Sequence, residues 1–273
     1  MNRPALKHRS HPGRAACRTV LLALSVLVAA LQPATAQESP VIAGASDLQF
    51  ALEEIAAAFQ ADTGQAVRLS LGSSGNFARQ IRQGAPFQMY MSADESYVLE
   101  LEREGFTRDA GALYAVGRIV VIAPHGSSLA PDAGLDDLAA ALAEGRLERF
   151  AIANPEHAPY GKRAEEALRH RGLWEAIRPR LVLGENVTQA AQFATSGNAQ
   201  GGIVAYSLAL SPKVSVLGTY ALIPAEWHSP LRQRMVLLRD AGPVAERFYD
   251  YVQQPAARAI LRRYGFLLPG EES

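Results

Sequence analysis

Four turns in the sequence place small or polar residues at the start of a helix-like segment. They are Ala45-Ser46-Asp47, Ser73-Ser74-Gly75-Asn76, Pro159-Tyr160-Gly161 and Asn186-Val187-Thr188. The first four N–H groups of a helix lack partners within the helix, and the helix dipole makes that end positive. Such a terminus binds an oxyanion without a Lys or Arg side chain. Because two turns come from each half of the chain, we expect them to converge on one small anion.

Each turn also has a simpler interpretation when it is taken alone. Ser46, Ser73 or Ser74 can serve as an ordinary helix N-cap. Tyr160 follows a proline, where an aromatic residue is common in surface turns, and Val187 can offer only its backbone N–H. The combination of four such turns in an exported chain, rather than any one of them, favours a binding site.

Strand-like and helix-like segments alternate along the chain, which predicts an α/β fold with mostly parallel sheets flanked by helices. Short apolar runs predict strands at 41–45, 66–71, 87–91, 118–123, 150–153, 181–183, 202–205, 214–217 and 235–238. Helical spacing of apolar residues predicts helices at 48–59, 77–82, 95–104, 135–142, 162–171, 186–195, 244–252 and 255–263. In an open sheet of this kind, ligands bind at the carboxyl ends of the strands, where the four turns lie.

No linker divides the chain, so two lobes must exchange strands, at about 118–123 and 217–224. We predict one lobe from residues 39–121 plus 223–273 and a second from 122–222. A ligand would then sit in the hinge cleft between the lobes.

The first 36 residues read as a secretory signal peptide. Five basic residues precede an apolar run at 20–31, and Ala34-Thr35-Ala36 fits a cleavage site. The run is too short for a comfortable membrane span, and a membrane anchor is the alternative. Removing the five basic residues leaves 22 basic against 27 acidic, a net charge of −5, which argues against nucleic-acid binding. The single cysteine, Cys17, would leave with the signal peptide.

Residues suited to catalysis are sparse. Of the six histidines, His8 and His11 leave with the signal peptide and none of the other four has metal-ligand spacing; Gly72-Ser73-Ser74-Gly75 is not a nucleophile elbow. The alternative outside the class of binding proteins is an exported hydrolase, which this scarcity disfavours. Among binding proteins the alternatives are sulfate, phosphate, iron or an organic anion as the ligand. A phosphate binder needs an acceptor for the ligand's proton, and Asp47 is the residue that could supply it.

Several longer motifs resemble the periplasmic molybdate/tungstate-binding proteins of ABC importers. The most specific are Asn-Pro-Glu-His-Ala-Pro-Tyr-Gly at 154–161 and Arg-Tyr-Gly-Phe at 263–266. Ala45-Ser46, Gly-Ser-Ser-Gly-Asn-Phe-Ala-Arg-Gln-Ile at 72–81, Gly-Ala-Pro-Phe at 84–87, Ser-Ala-Asp at 92–94, Gly-Ile-Val at 202–204 and Phe-Tyr-Asp-Tyr at 248–251 also match. Together these stretches span essentially the whole chain after the signal peptide.

The resemblance implies a two-lobe, type II periplasmic-binding-protein fold without catalytic activity or a cofactor. It implies that Ser46 and Ser74 donate hydroxyl and backbone hydrogen bonds to the anion, and that Tyr160 and Val187 donate backbone N–H groups. Molybdate or tungstate would be bound as an oxyanion, with no protein ligand on the metal. It further implies a periplasmic protein, which we expect to be a monomer, that delivers its ligand to an ABC permease.

Two positions depart from the family pattern. Many members carry a tyrosine directly after Gly-Ile-Val, whereas this chain has Ala205 there and Tyr206 one residue later. One step along a strand reverses the facing, so we hypothesise that the Tyr160 hydroxyl replaces that tyrosine. Asp47 follows Ser46, and a carboxylate repels a dianion. We therefore predict that the Asp47 side chain faces away from the anion, satisfies the helix start and lends only its N–H.

Overall fold

The computed structural model describes residues 1, 2, 5 and 39–271, so the predicted signal peptide lies almost wholly outside the described residues. Ten strands are present: β1 Val41–Ala45, β2 Arg68–Gly72, β3 Phe87–Ser92, β4 Ala112–Gly117, β5 Ile119–Pro124, β6 Phe150–Ala153, β7 Leu181–Gly184, β8 Gly202–Ala205, β9 Gly218–Leu222 and β10 Leu231–Leu237. The described α-helices are α1 Gln49–Thr63, α2 Ser74–Arg82, α3 Glu95–Arg103, α4 Asp136–Ala143, α5 Pro159–His170, α6 Trp174–Ile177, α7 Val187–Thr195, α8 Tyr206–Ala209, α9 Pro243–Val252 and α10 Pro255–Arg263. Among these residues no helix is long and apolar enough to cross a membrane.

The strands form two five-stranded sheets, one in each lobe, with the orders β2-β1-β3-β10-β4 and β7-β6-β8-β5-β9. In the first sheet β1 is parallel to β2 and β3, whereas β10 is antiparallel to β3 and β4. The second sheet repeats this arrangement, with β6 parallel to β7 and β8, and β5 antiparallel to β8 and β9. The two-lobe α/β fold is confirmed, but the sheets are mixed rather than mostly parallel.

The mixed pairing follows from the path of the chain between the lobes. The chain leaves the first sheet at Gly117 and enters the second at Ile119, and it returns between Leu222 and Leu231. A strand that enters from the other lobe begins at the cleft edge and runs away from it. The strands that lead into the cleft turns run in the opposite direction, so β5 and β10 are antiparallel to their neighbours. The predicted lobe division, between residues 121 and 122, falls within β5 and stays a prediction.

Apolar side chains fill the space between each sheet and its helices. On α1 the helical spacing of Leu52, Ile55 and Phe59 places all three side chains in the core of the first lobe with no exposed surface. The Phe59 ring contacts Phe248 and Tyr251 edge to face, at centroid distances of 5.2 and 5.4 Å. Full burial of such side chains contributes about 1.5–3 kcal/mol each. The C-terminal helices therefore belong to the first lobe.

Most predicted elements are present, and the differences lie near turns. Residues 214–217 were expected to be a strand, but they form turns, and the strand follows at β9. Strand β4 was not predicted. Helix α5 begins at Pro159, three residues earlier than expected, because proline is well tolerated in the first turn of a helix.

Candidate anion-binding site

A small cavity lies where the four predicted turns meet, between the two lobes. It is small: the space open to the centre of a water-sized sphere is about 10 Å³, roughly what one water molecule needs. All five predicted ligand residues line it: Ser46, Asp47, Ser74, Tyr160 and Val187. The remaining lining residues are Ala45, Gly72, Ser73, Ala93, Ala158, Pro159 and Asn186. The described lining contains no Lys, Arg or His, so a ligand here meets neutral groups and one carboxyl.

Two serine hydroxyls of the first lobe line the cavity, and each accepts from a backbone N–H. Ser46 Oγ lies 3.4 Å from the backbone N–H of Thr188, and Ser74 Oγ accepts a bond of 3.0 Å from the N–H of Ala93. A hydroxyl that accepts from a backbone N–H still carries its own hydrogen. Both serines are at least 96% buried, so each O–H is held in place and can donate to a ligand in the cavity.

The second lobe contributes the first turns of two helices. Tyr160 is the second residue of α5, after Pro159, and Val187 is the first residue of α7. The Asn186 side chain caps α7 by accepting a 3.0 Å hydrogen bond from the N–H of Gln189. Backbone N–H groups in these first turns have no acceptor within their helices. The N–H of Gln189 is taken by Asn186 and that of Thr188 faces Ser46 Oγ, so the groups left to donate to an anion are the N–H groups of Tyr160 and Val187.

Asp47 lies at the centre of a buried hydrogen-bond network that joins the lobes. Its Oδ2 accepts from the Tyr160 hydroxyl at 2.9 Å and from Gln233 Nε2 at 2.7 Å. Gln233 Oε1 in turn accepts a 2.7 Å bond from the Tyr114 hydroxyl. The other carboxyl oxygen, Asp47 Oδ1, is buried and has no hydrogen-bond partner among residues 39–271. The Ser207 hydroxyl donates to the backbone carbonyl of Asp47 at 2.7 Å.

Burial governs the ionisation of this network. It raises the pKa of Asp47 from 3.8 to about 6, although hydrogen bonds from Gln233, from Tyr160 and from the backbone N–H groups of Asp47 and Leu48 act in the opposite direction. Burial, followed by the charge of Asp47, also raises the pKa of Tyr160 well above its usual value. The pKa of Tyr114 is raised well above its usual value for the same two reasons. Both phenols are therefore neutral donors at physiological pH.

Two side chains of the cavity make contacts within the protein that the sequence did not predict, and their roles towards an anion stay predictions. The Tyr160 hydroxyl, hypothesised to contact the anion, donates instead to Asp47. The Asp47 side chain accepts from Tyr160 and Gln233, and the backbone N–H groups of Asp47 and Leu48 at the start of the 3-10 turn also lower its pKa; its orientation relative to a bound anion stays a prediction. Tyr206 is absent from the cavity lining, and its ring lies under the Arg118 guanidinium, 4.7 Å from carbon to centroid. Gln233 was not anticipated, because no turn or motif distinguishes it within its strand.

Contacts around the cavity hold the lobes together. The backbone carbonyl of His157 accepts hydrogen bonds from the Ser73 hydroxyl and from the N–H of Gly75, the latter at 3.0 Å. Arg163 on α5 forms a 2.8 Å ion pair with Asp94, and the two side chains are 7% and 17% exposed. His157 thus serves as a packing residue of its loop. The described residues contain no cluster of His, Cys, Asp or Glu that could hold a metal ion.

Sequence comparison finds relatives over nearly the whole chain. The chain is 36% identical to the molybdate-binding protein ModA of Rhodobacter capsulatus over 248 residues, 90% of this chain and 94% of that protein. It is 34% identical to the molybdate-binding protein ModA of Azotobacter vinelandii over 250 residues, 90% and 95% of the two chains. The resemblance inferred from the motifs is thereby confirmed.

Comparison with solved structures agrees with the sequence comparison. The periplasmic molybdate-binding protein of Azotobacter vinelandii superposes with a TM-score of 0.75 at 31% identity, covering 85% of this chain and 100% of that one. The sulfate-binding protein SubI of Mycobacterium tuberculosis shares the fold, with a TM-score of 0.70 at 14% identity over 85% and 87% of the two chains. Residues 40–267 match the family model described as bacterial extracellular solute-binding protein. The chain therefore belongs to the family of bacterial extracellular solute-binding proteins.

Proposed function

We propose that this protein captures molybdate, and also tungstate, in the periplasm and delivers the anion to the permease of an ABC importer. The observation that carries the proposal is the cavity between the lobes, where four chain turns bring neutral hydrogen-bond donors together. Relatives named molybdate-binding proteins, at 34–36% identity over 90% of the chain, support this choice of ligand. We further propose that the protein acts as a monomer and that residues 1–36 direct its export.

In this proposal five residues hold the anion. Ser46 and Ser74 donate through their hydroxyls, and Asp47, Tyr160 and Val187 donate through backbone N–H groups. Molybdate at neutral pH is a dianion that accepts hydrogen bonds from every side, which suits a lining of donors. Preorganised neutral donors in a dry cavity act more strongly than they would in water because the effective dielectric is lower.

Calorimetry provides the test. The full chain is expressed in a Gram-negative host, purified from the periplasm and titrated at pH 7 with molybdate, tungstate, sulfate and phosphate. We expect tight 1:1 binding of molybdate and tungstate, at least about 100-fold tighter than sulfate, because sulfate is smaller and leaves donors unpaired. Tight binding of sulfate or phosphate without molybdate would overturn the proposed ligand. Recovery of the protein from the cytoplasm alone would overturn its proposed location.

A further inference from the structure

The two oxygens of the Asp47 carboxyl have unlike surroundings. Oδ2 accepts two hydrogen bonds, from Tyr160 and from Gln233. Oδ1 is buried but has no hydrogen-bond partner among the described residues, although Asp47 lines the cavity. A buried carboxylate oxygen without a donor costs free energy, and charged groups suffer more than neutral ones. A proton on this carboxyl would therefore reside on Oδ1, because Oδ2 already accepts from two donors.

The groups that face this carboxyl carry no positive charge. They are the neutral phenols of Tyr160 on α5 and Tyr114 on β4 and the amide of Gln233 on β10. The elements packed against the turn Ser46–Leu48 are β2, α1, α7 and α8. On α1, Glu53 is exposed, Glu54 pairs with Arg263 and Asp62 accepts from the Tyr251 hydroxyl. Strand β2 carries the exposed Arg68, α8 carries Tyr206 under Arg118, and α7 has no ionisable side chain.

A dianion in the same small cavity further favours the protonated form of Asp47 over the ionised form. Like charges at close range repel far more strongly in a medium of low dielectric than in water. Protonation of Asp47 removes this repulsion. It also converts the unpartnered Oδ1 from an acceptor into an O–H donor.

We propose that Asp47 enters the closed anion complex in its protonated form, so that capture of one tetrahedral dianion takes up one proton. The inference rests on the proposed function, since it assigns a role to a residue of that same site. Burial has already brought the carboxyl to a pKa of about 6, so protonation at neutral pH demands little further change. Asp47 then acts as a specificity-determining residue, because a protonated carboxyl donates to a bare dianion.

The rival arrangement is an ionised Asp47 that accepts the proton of a monoprotonated anion such as hydrogen phosphate. The two arrangements differ in what they predict for the Asp47→Asn variant. In this variant the amide oxygen can take the place of Oδ2, and the NH₂ group then stands at the unpartnered position as a permanent donor. The substitution therefore imitates the protonated form, and the amide cannot accept the ligand's proton there.

The test is calorimetry of the exported full chain with molybdate, repeated with tungstate, from pH 6 to 8.5. Pairs of buffers with different ionisation enthalpies give the number of protons taken up. For the wild type we expect close to one proton per anion at pH 8 and an affinity that falls up to about tenfold per pH unit above pH 6. The Asp47→Asn variant should take up no proton, bind with an affinity that does not depend on pH, and exceed the wild type at pH 8.

Asp250→Asn, at an exposed carboxylate on α9, is the matched control and should behave as the wild type. A wild-type affinity without pH dependence and without proton uptake would overturn the inference. Tight phosphate binding that is lost in Asp47→Asn would overturn it in favour of the rival arrangement. Absence of molybdate binding by both proteins at every pH would instead refute the proposed function. If Asp47→Asn does not fold, as judged by thermal unfolding, the proton count of the wild type alone decides.

Discussion

Burial of an ionised carboxyl group without a countercharge destabilises a folded protein. Asp47 is 1% exposed, and its donors are a phenol and an amide rather than a cation. Its raised pKa means that the folded protein holds this proton more tightly than the unfolded chain does. Ionisation of Asp47 therefore opposes folding at neutral pH, and the ligand-free protein should reveal this opposition directly.

We predict that Asp47→Asn stabilises the ligand-free protein at pH 7 by up to about 3 kcal/mol, the free-energy equivalent of a rise in pKa from 3.8 to about 6. Because the folded pKa lies above the unfolded value, the penalty is absent below about pH 4 and complete above about pH 6. The difference in unfolding free energy between the variant and the wild type should likewise be absent below about pH 4 and complete above about pH 6. Urea unfolding of both proteins from pH 3.5 to 8 measures it, with Asp250→Asn as the control.

An equal stability of the two proteins at pH 7 and at pH 4 would show that Asp47 ionises in the folded state without cost. Since no anion is present, this outcome would bear on the surroundings of the carboxyl and not on ligand choice. The prediction therefore stands apart from the proposed function.

The sequence predicted the five candidate residues because each lies at a turn before a helix, where residue type and position carry information. Ser46, Ser74, Tyr160 and Val187 line one cavity as expected. Gln233 escaped prediction, since it lies in the middle of β10 and reaches the site through the fold of the whole lobe. The direction of a side chain such as Tyr160 also depends on tertiary packing, which explains why its hydroxyl reaches Asp47.

At the scale of the element, the start of α5 is fixed by a close approach to β6. A Cβ atom built on Gly161 would lie 2.1 Å from the backbone oxygen of Ala153 and 2.9 Å from the backbone carbon of Asn154. Only a residue without a side chain fits this contact, because the atoms in the way belong to the backbone. The glycine therefore sets the position of the neighbouring Tyr160 N–H.

We predict that Gly161→Ala displaces the first turn of α5 and weakens molybdate binding by at least about tenfold, since a misplaced donor loses most of its hydrogen bond. Calorimetry measures the affinity, and thermal unfolding is expected to show a lower midpoint. Gly242→Ala is the matched control, because its Cβ would meet only the end of the Gln88 side chain, at 3.3 Å. Unchanged affinity in Gly161→Ala would exclude the α5 terminus from the site.

Helices and strands with a strong local sequence pattern were predicted well. Elements that depend on pairing with a distant strand were not. Strands β6 and β8 and helix α10 have the predicted bounds. Strand β4 was missed because Ala112–Gly117 has no distinctive pattern and is stabilised by pairing with β10, more than a hundred residues later. The apolar residues at 214–217 favoured a strand, but Val216 and Leu217 are exposed and the chain turns there.

At the scale of the whole molecule, the ion pair between Arg163 and Asp94 links the lobes beside the cavity. The two side chains are 7% and 17% exposed, so little water screens the pair. Asp94 also caps α3 by accepting a 2.9 Å hydrogen bond from the N–H of Ser96. Closure of the lobes thus brings together one charge from each side.

We predict that Arg163→Met weakens molybdate binding by about tenfold or more, because removal of one partner leaves the other charge poorly compensated in the closed form. Small-angle X-ray scattering should show a larger radius of gyration for the ligand-free variant and a return towards the wild-type value at saturating molybdate. Arg169→Met is the control, since Arg169 lies on the same helix but pairs with Glu165 of that helix. Equal affinities of the two variants would contradict a role for the pair in closure.

A lining without Lys or Arg also determines how an anion reaches this protein. A chain with a net charge of −5 after loss of the predicted signal peptide offers an approaching dianion no long-range attraction, and at low ionic strength it repels it. The anion reaches the protein by diffusion alone. The protein discriminates between anions only once they touch the cavity, where hydrogen-bond geometry and the size of the anion act. The association rate is therefore lower than it would be for a positively charged binding protein. In return, other anions that are more abundant than the ligand are not concentrated at the entrance of the cleft.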